Sequence, residues 1–524
     1  MPPVARNVAK FPPSPPGPII DVSVTSGTRH YTLLNTNEPP EDSELTFIRS
    51  VVSETSMRLA GLDDEISNLR EKLEQLEDQR ATLSSYRTQN MAIVSPLRRM
   101  PLEVLADIFS WTLPSLHDAC SFGGPDVAQS PWLLTQISSR WRALALSTPS
   151  LWTRVVIDYT CASAPVMAVV EAQIHLAKKL NIHFYGHPKT ESGPQLQMFE
   201  LLTKHSLRWE ELCIGITSEM VPLLTAFRDR IPSLKRFWVQ WEDSHTAVQS
   251  LDCFQTAPSL VDFGINHEEH HFVPITVPVQ QLTRYQLTGS WRRHLTILKL
   301  AQNLVEAHIE IDFNDEELEP PKAGLINLPH LRRLFVSHSE VLDNLELHGL
   351  EGLALWVHEE QADDIVHHFE SFFSHSECPL RRLCLRGSDA HATAQILGKI
   401  PSVAELALAV NETHSQGDFD LFMSTLSSSE IAPQLHSLFF ASEAGSIIDD
   451  YTAYLKMLRT RWEADGSALK NAALLAVAEG SGPDLDTLGG LHALRLEGLD
   501  LLILEGSAAS KEMFNWLYSS SWIL

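Results

Sequence analysis

Leu380-Arg381-Arg382-Leu383-Cys384-Leu385-Arg386, followed 23 residues on by Val403-Ala404-Glu405-Leu406-Ala407-Leu408, carries the pattern on which the fold turns. Apolar residues hold the first, fourth and sixth places of both copies. The last two alternate with polar or small residues, the period of a strand with one buried face. The pattern extends in both directions. Upstream it reads Leu234-x-x-Phe237-x-Val239, Leu260-x-x-Phe263-x-Ile265, Leu282-x-x-Tyr285-x-Leu287, Leu304-x-x-Ala307-x-Ile309, Leu331-x-x-Leu334-x-Val336 and Leu350-x-x-Leu353-x-Leu355. Downstream come Leu435-x-x-Leu438-x-Phe440 and Leu491-x-x-Leu494-x-Leu496, and Trp209-x-x-Leu212-x-Ile214 is an earlier copy. Between Leu234 and Leu435 successive starts lie 19 to 32 residues apart, room for one short strand and one helical or irregular return. So small a unit cannot enclose a core, so its leucines are buried only if the units stack.

This array resembles the leucine-rich repeat, in an irregular form without the asparagine that usually follows the strand. The resemblance implies an α/β solenoid over 156–524. Leu151 to Asp158 reads as its first strand. After Phe440 the rhythm breaks: Ile447 to Trp462 and Ala468 to Ala478 read as helices, and with Met513 to Tyr518 they are expected to close the open end of the stack.

Upstream of the repeats the chain changes character twice. Residues 1–43 are rich in Pro, Ser, Thr and Asn and read as a disordered tail. Over 44–89 a heptad runs unbroken, with Leu45, Val52, Leu59, Ile66, Leu73 and Arg80 at one core position and Ile48, Thr55, Leu62, Leu69, Leu76 and Leu83 at the other. That is a coiled-coil seam. Arg58 with Asp63, Glu65 with Arg70 and Lys72 with Glu77 pair opposite charges across a parallel dimer, so residues 45–83 suit a homodimer. The same stripe would equally serve a helix laid along its own protein.

Between heptad and repeats, in the module 90–155, two amphipathic helices are legible. Pro101 opens the first, with Val104, Leu105, Ile108 and Phe109 on one face. Leu133, Leu134, Ile137, Trp141, Leu144 and Ala145 line the second, and Pro149 stops it. The pieces Met100-Pro101-x-Glu103-x-Leu105-x-x-Ile108-Phe109, Ile137-x-x-x-Trp141-Arg142-x-Leu144-Ala145 and Pro149-x-Leu151-Trp152 resemble the F-box, the helical module by which substrate receptors dock on the Skp-family adaptor of SCF-type ubiquitin ligases. The insertion Ser115 to Ser130 departs from that pattern, which is usually shorter there. The resemblance implies a non-catalytic receptor subunit with the adaptor and a cullin as partners, and docking through Pro101, Leu105, Ile108, Phe109, Leu134, Ile137 and Trp141. An interaction scaffold without ubiquitin-ligase function is the alternative.

If the repeat leucines face inward, the residues alternating with them face outward together. That parity selects Arg236, Trp238, Arg284, Arg333, Phe335, Trp356, Arg382 and Arg386 as target-binding candidates, since arginines and large aromatics anchor interfaces. A row of arginines in an acidic chain suggests a target with acidic or phosphorylated segments.

Composition excludes more than it selects. Acidic residues outnumber basic ones by 66 to 40, a net charge of -26, which argues against a nucleic-acid backbone as partner. Six scattered cysteines without a Cys-x-x-Cys pair suggest reduced thiols, and neither a signal peptide nor a membrane span is legible, so a cytoplasmic or nuclear home is expected. His267-Glu268-Glu269-His270-His271 matches the zinc-protease motif but directly follows a strand, with Pro274 and Pro278 close behind, so it reads as a loop. His367, His368 and His375 read as exposed histidines. Asn411-Glu412-Thr413 is a glycosylation acceptor only in a secreted chain. Without phosphate loop, nucleophile elbow or dinucleotide fingerprint, no catalytic residue, cofactor or metal is expected.

Overall fold

The structure, a computed structural model, describes residues 24–517 apart from 122–123, 160–163, 187–192, 227, 242–249, 268–274, 312–323, 358–363, 412–413, 444, 446–447, 449, 465 and 479. The chain divides into two compact units, Met1–Met100 and Pro101–Leu524.

In the first unit, part of the expected tail is helical: Arg29–Asn35 forms a helix whose N-cap Thr28 accepts from the Tyr31 N–H. Arg29 ties this helix to Glu38 and, at 3.1 Å, to Glu44. Glu44 also accepts from the Glu41 N–H at 2.8 Å, closing a capping box at the start of the next helix. That helix runs unbroken from Asp42 to Ile93, 52 residues and so about 78 Å long. Its seam is open: Leu59, Leu62, Ile66, Leu69, Leu73 and Leu76 are each 46–60% exposed.

The second unit begins with the helical module. Leu102–Trp111 follows Pro101, and the second expected helix is split into Leu134–Ile137 and Ser139–Ser147. The break has a local cause. Ser138 is extended, and its hydroxyl caps the following helix by accepting from the Trp141 N–H at 3.2 Å. A 3-10 turn, Pro149–Trp152, then leads into the sheet, with the Trp152 indole buried and donating to the Ala145 carbonyl at 2.8 Å.

Sixteen strands are described: β1 (Arg154–Asp158), β2 (Leu180–Tyr185), β3 (Trp209–Ile216), β4 (Arg236–Trp241), β5 (Asp262–His267), β6 (Arg284–Gly289), β7 (Glu306–Ile311), β8 (Ile326–Asn327), β9 (Arg333–Val336), β10 (Leu345–Glu346), β11 (Gly352–Trp356), β12 (Arg382–Arg386), β13 (Glu405–Val410), β14 (Ser437–Ser442), β15 (Asn471–Ala476) and β16 (Asp500–Glu505). Fourteen of them form one parallel sheet in chain order, while β8 and β10 pair separately. Each unit thus adds its strand at the same edge, the solenoid-like α/β arrangement expected from the repeats. The motif residues are its core: from Leu234 to Phe440, every first, fourth and sixth position is 3% exposed or less. The returns pack on this leucine face, as Phe254 stacks on Phe237 and Phe419 meets Phe440.

The C-terminal part departs from expectation. Leu491 to Leu496 belongs to the helix Leu485–Leu496, with Leu496 91% exposed, and Ala468 to Ala478 contains strand β15 in place of a helix. Alanine's helix propensity yields here to the pairing of β15 with β14 and β16 on either side. The last helix, Gly506–Leu517, does not stand at the end of the stack. It turns back over the sheet face opposite the leucines, where Ala509, Met513 and Trp516 pack on Cys384, Ala407, Ala409, Ala441, Phe439 and Leu475. Small residues on these strands leave the trough that admits a helix.

Candidate interaction surfaces

The helical module presents two faces. Leu105, Phe109 and Leu134 are buried, with Phe109 4.8 Å from the half-buried Trp141 ring. Pro101, Ile108 and Ile137 are exposed. The proposed docking set therefore splits: Leu105, Phe109 and Leu134 hold the helices together, and Trp141 braces them. Ile108 shares a face with Val104 and Trp111, four residues before and three after, and all three are exposed. Leu133 and Ile137 are exposed as well. The insertion folds toward the sheet: the Arg154 guanidinium donates to the Pro114 carbonyl at 2.9 Å, and Leu116 packs on Cys213 and Trp238.

Across the open face of the sheet, strand register aligns Arg154, Asn181, Glu211, Arg236, Asp262, Arg284, Glu306, Arg333, Gly352, Arg382, Glu405, Ser437, Asn471 and Asp500 in one row. The row holds five arginines and five carboxylates, so it is balanced. Arg236 bridges Glu211 at 3.2 Å and Asp262 at 2.7 Å; Arg284 lies 3.8 Å from Asp262 and 3.0 Å from Glu306; Arg333 reaches Glu306 at 3.4 Å and Arg382 reaches Glu405 at 3.8 Å. Burial pulls the Arg236 pKa down, and Glu211 and Asp262 outweigh it, so the group stays above its ordinary value.

The eight target-binding candidates fall into three groups. Arg236, Trp238 and Arg284 gather on Asp262, which also accepts from the Trp238 indole at 2.7 Å while Arg284 lies over its ring. Arg333, Phe335 and Arg382 line one cleft with Glu306 and His308, and Trp516 of the last helix forms its wall. Trp356 carries Arg386 over its ring at 4.0 Å, and Arg386 is held by Glu443 through bonds of 2.5 and 2.7 Å. The arginines are thus not an uncompensated basic row. Sequence reasoning passed over the carboxylates that pair with them, although the signal was present. The third place of successive motif copies reads Arg, Asp, Arg, Glu, Arg, Gly, Arg, Glu, Ser from Arg236 to Ser437.

Burial sets the state of the polar groups near this face. It lowers the His308 pKa to about 3, with Arg284 adding to the effect, and the His294 pKa to about 4, so both rings are neutral. Of the metal-motif candidates, His267 ends β5 and Glu268 to His271 lie outside the described residues, as do Glu412 and Thr413. His368 bonds Asp343 at 2.7 Å. Among the described residues no helix is long and apolar enough to cross a membrane.

No family model matches the chain, and no curated protein matches it. Among solved structures it is similar to the crystal structure of a Bacteroides fragilis protein determined as a structural genomics target, at 13% identity and a TM-score of 0.30, covering 56% of this chain and 74% of that one.

Proposed function

We propose that the chain is the non-catalytic substrate-recognition subunit of an SCF-type ubiquitin ligase. The observation that carries this reading is the division of labour in the helical module. Leu105, Phe109 and Leu134 are consumed in its core, yet Val104, Ile108, Trp111, Leu133 and Ile137 remain as exposed apolar side chains. A pair of helices that served only to cap the sheet would have no use for that second apolar surface; docking on the Skp-family adaptor would cover it. At one end of the insertion Ser115 to Ser130, Leu116 packs on Cys213 and Trp238; toward the other, the Gln136 side chain donates to the Val127 carbonyl at 3.0 Å, so this segment borders the docking helix. The open face of the solenoid would hold the target, and transfer would follow from raised effective concentration in the assembled ligase. Pairing of two copies through residues 45–83 would present two such faces at once. Because the arginine row is balanced, a target of mixed charge suits this face better than a purely acidic one.

The test uses purified full-length protein and a purified Skp-family adaptor in a binding titration. Ile108→Asp, at a position 37% exposed, should abolish binding while leaving the circular dichroism and melting unchanged. Leu105→Asp should instead unfold the module. Absence of binding by the wild type, or undiminished binding by Ile108→Asp, would replace the receptor reading with that of an interaction scaffold.

A further inference from the structure

We propose that His183, Glu211 and Cys213 form a binding site for a divalent transition-metal cation of the zinc class on the open face of β2 and β3. His183 and Cys213 are direct register partners on adjacent parallel strands, and Glu211 precedes Cys213 by two residues and so shares its face. One ligand atom from each residue lies within 4.8 Å of the other two. His183 Nε2 is 3.4 Å from Glu211 Oε1, and Cys213 Sγ is 3.7 Å from the same oxygen. A tetrahedral zinc with bonds of about 2.0–2.1 Å to nitrogen, 2.0–2.2 Å to oxygen and 2.3 Å to sulfur separates its ligands by about 3.4 Å for N···O and about 3.6 Å for S···O. The His183–Glu211 and Cys213–Glu211 pairs already stand at that spacing, and the imidazole and thiol atoms lie within 4.8 Å of each other.

The donor chemistry narrows the cation. Thiolate and imidazole favour zinc-like ions, whereas magnesium and calcium take oxygen donors. The surroundings are enclosed: His183 and Cys213 are 2% and 7% exposed, and Leu116, Tyr185 and Trp238 pack around Cys213. Burial, with Arg154 and Arg236 adding to it, lowers the His183 pKa to about 3, so the ring is neutral and its contact with Glu211 is not a pairing of opposite charges. Burial and the Glu211 carboxylate raise the Cys213 thiol well above its ordinary range, so a cation must displace its proton. Charge then balances, one thiolate and one carboxylate against a dication. Arg236 is the competing cation on Glu211, but its shorter bond goes to Asp262, 2.7 Å against 3.2 Å, so it need not leave the row. Three protein ligands leave a fourth position for water or for a donor atom of a bound partner. Metal affinity does not depend on the ubiquitin-ligase reading and is measurable on the isolated protein.

Full-length protein, stripped with a chelator and kept reduced, is titrated with Co2+ as the probe. One equivalent should bind, with an intense near-ultraviolet thiolate-to-cobalt band and visible bands of tetrahedral cobalt, and Zn2+ should displace it. Cys213→Ser should lose the near-ultraviolet band, and Glu211→Gln and His183→Ala should each weaken binding at least about tenfold. Cys384→Ser, in the cluster beneath the last helix, should change nothing. Circular dichroism in the absence of metal establishes that each variant is folded, and Glu211→Gln keeps the test intact if the Cys213 variant is not. No band in the wild type, a band that survives in folded Cys213→Ser, or Co2+ affinity undiminished by Glu211→Gln overturns the site.

Discussion

The open face of the sheet is two surfaces on one scaffold. Over β3 to β9 it is polar and aromatic, and its arginines and carboxylates satisfy one another sideways along the row. Over β12 to β15 the row continues as Arg382, Glu405, Ser437 and Asn471, but beside it the same face carries Cys384, Ala407, Ala409, Phe439, Ala441 and Leu475, and the chain covers these with its own last helix. The leucine face behind both stretches is the same. Stacking therefore fixes only one side of each strand. The other is free to become either a surface for a partner or a second, smaller core.

The sharpest way to break this contrast is to remove the cover. Truncation after Glu505 takes away the buried Met513 and the partly buried Trp516, and loss of that apolar contact corresponds to about 2–4 kcal/mol. Truncated protein should melt well below the full chain and self-associate in sedimentation. An unchanged melting temperature with a monomeric product would mean that the alanine-lined trough is a solvent surface like its neighbour.

A second test separates the two stretches by acid. His294, bonded through Nδ1 to the Tyr285 hydroxyl at 3.0 Å, and His308 belong to the β6–β7 region. Their folded pKa values, about 4 and about 3, lie below the ordinary histidine value of 6.5. Above that value both states are neutral and stability does not depend on these rings. As pH falls below it, the unfolded chain takes up protons that the folded chain refuses, so stability falls by about 1.4 kcal/mol per pH unit for each ring, down to the folded pKa. Urea midpoints should be level from pH 8 to 6.5 and decline below. Hydrogen exchange at pH 5 should open β6 and β7 before β13 to β15. A midpoint flat from pH 6.5 to 5, or opening in the reverse order, would contradict this assignment.

What was legible in the sequence follows the same division. The stack, its inward leucines and the long helix could be read, because burial imposes a period that a single sequence displays. Strand β15 could not: Asn471 to Ala476 is half alanine and shows no strand period, and its conformation is set by the neighbours on each side. Leu491 to Leu496 carried the motif spacing without the fold: Leu491 and Leu494, three apart, share the buried side of a helix, while Leu496, two further on, falls on the other side and is exposed. The proximity of His183 to Cys213 was hidden by their separation of 30 positions along the chain, and only strand register brings them together. The helical module was legible as two amphipathic helices, but not which of its apolar residues face inward.

Within the charged row, the centre and the margin should differ, and this is the smallest effect of the set. Asp262 is 7% exposed and holds three groups: Arg236 at 2.7 Å, the Trp238 indole at 2.7 Å and, more loosely, Arg284. Asp262→Ala removes the acceptor of a buried indole and weakens two charge pairs. Arg236 keeps Glu211 and is partly solvated, so the cost is about 2 kcal/mol, short of what a fully buried pair would lose. Glu405 makes one long contact of 3.8 Å with Arg382, and both side chains are 39% exposed. Water replaces that partner readily, and Glu405→Ala should cost less than about 0.5 kcal/mol. Denaturant titration of the two variants measures the difference directly. Equal losses would mean that the row acts through net charge; a loss confined to Asp262 would mean that it acts through geometry, with the buried Trp238 indole as its anchor.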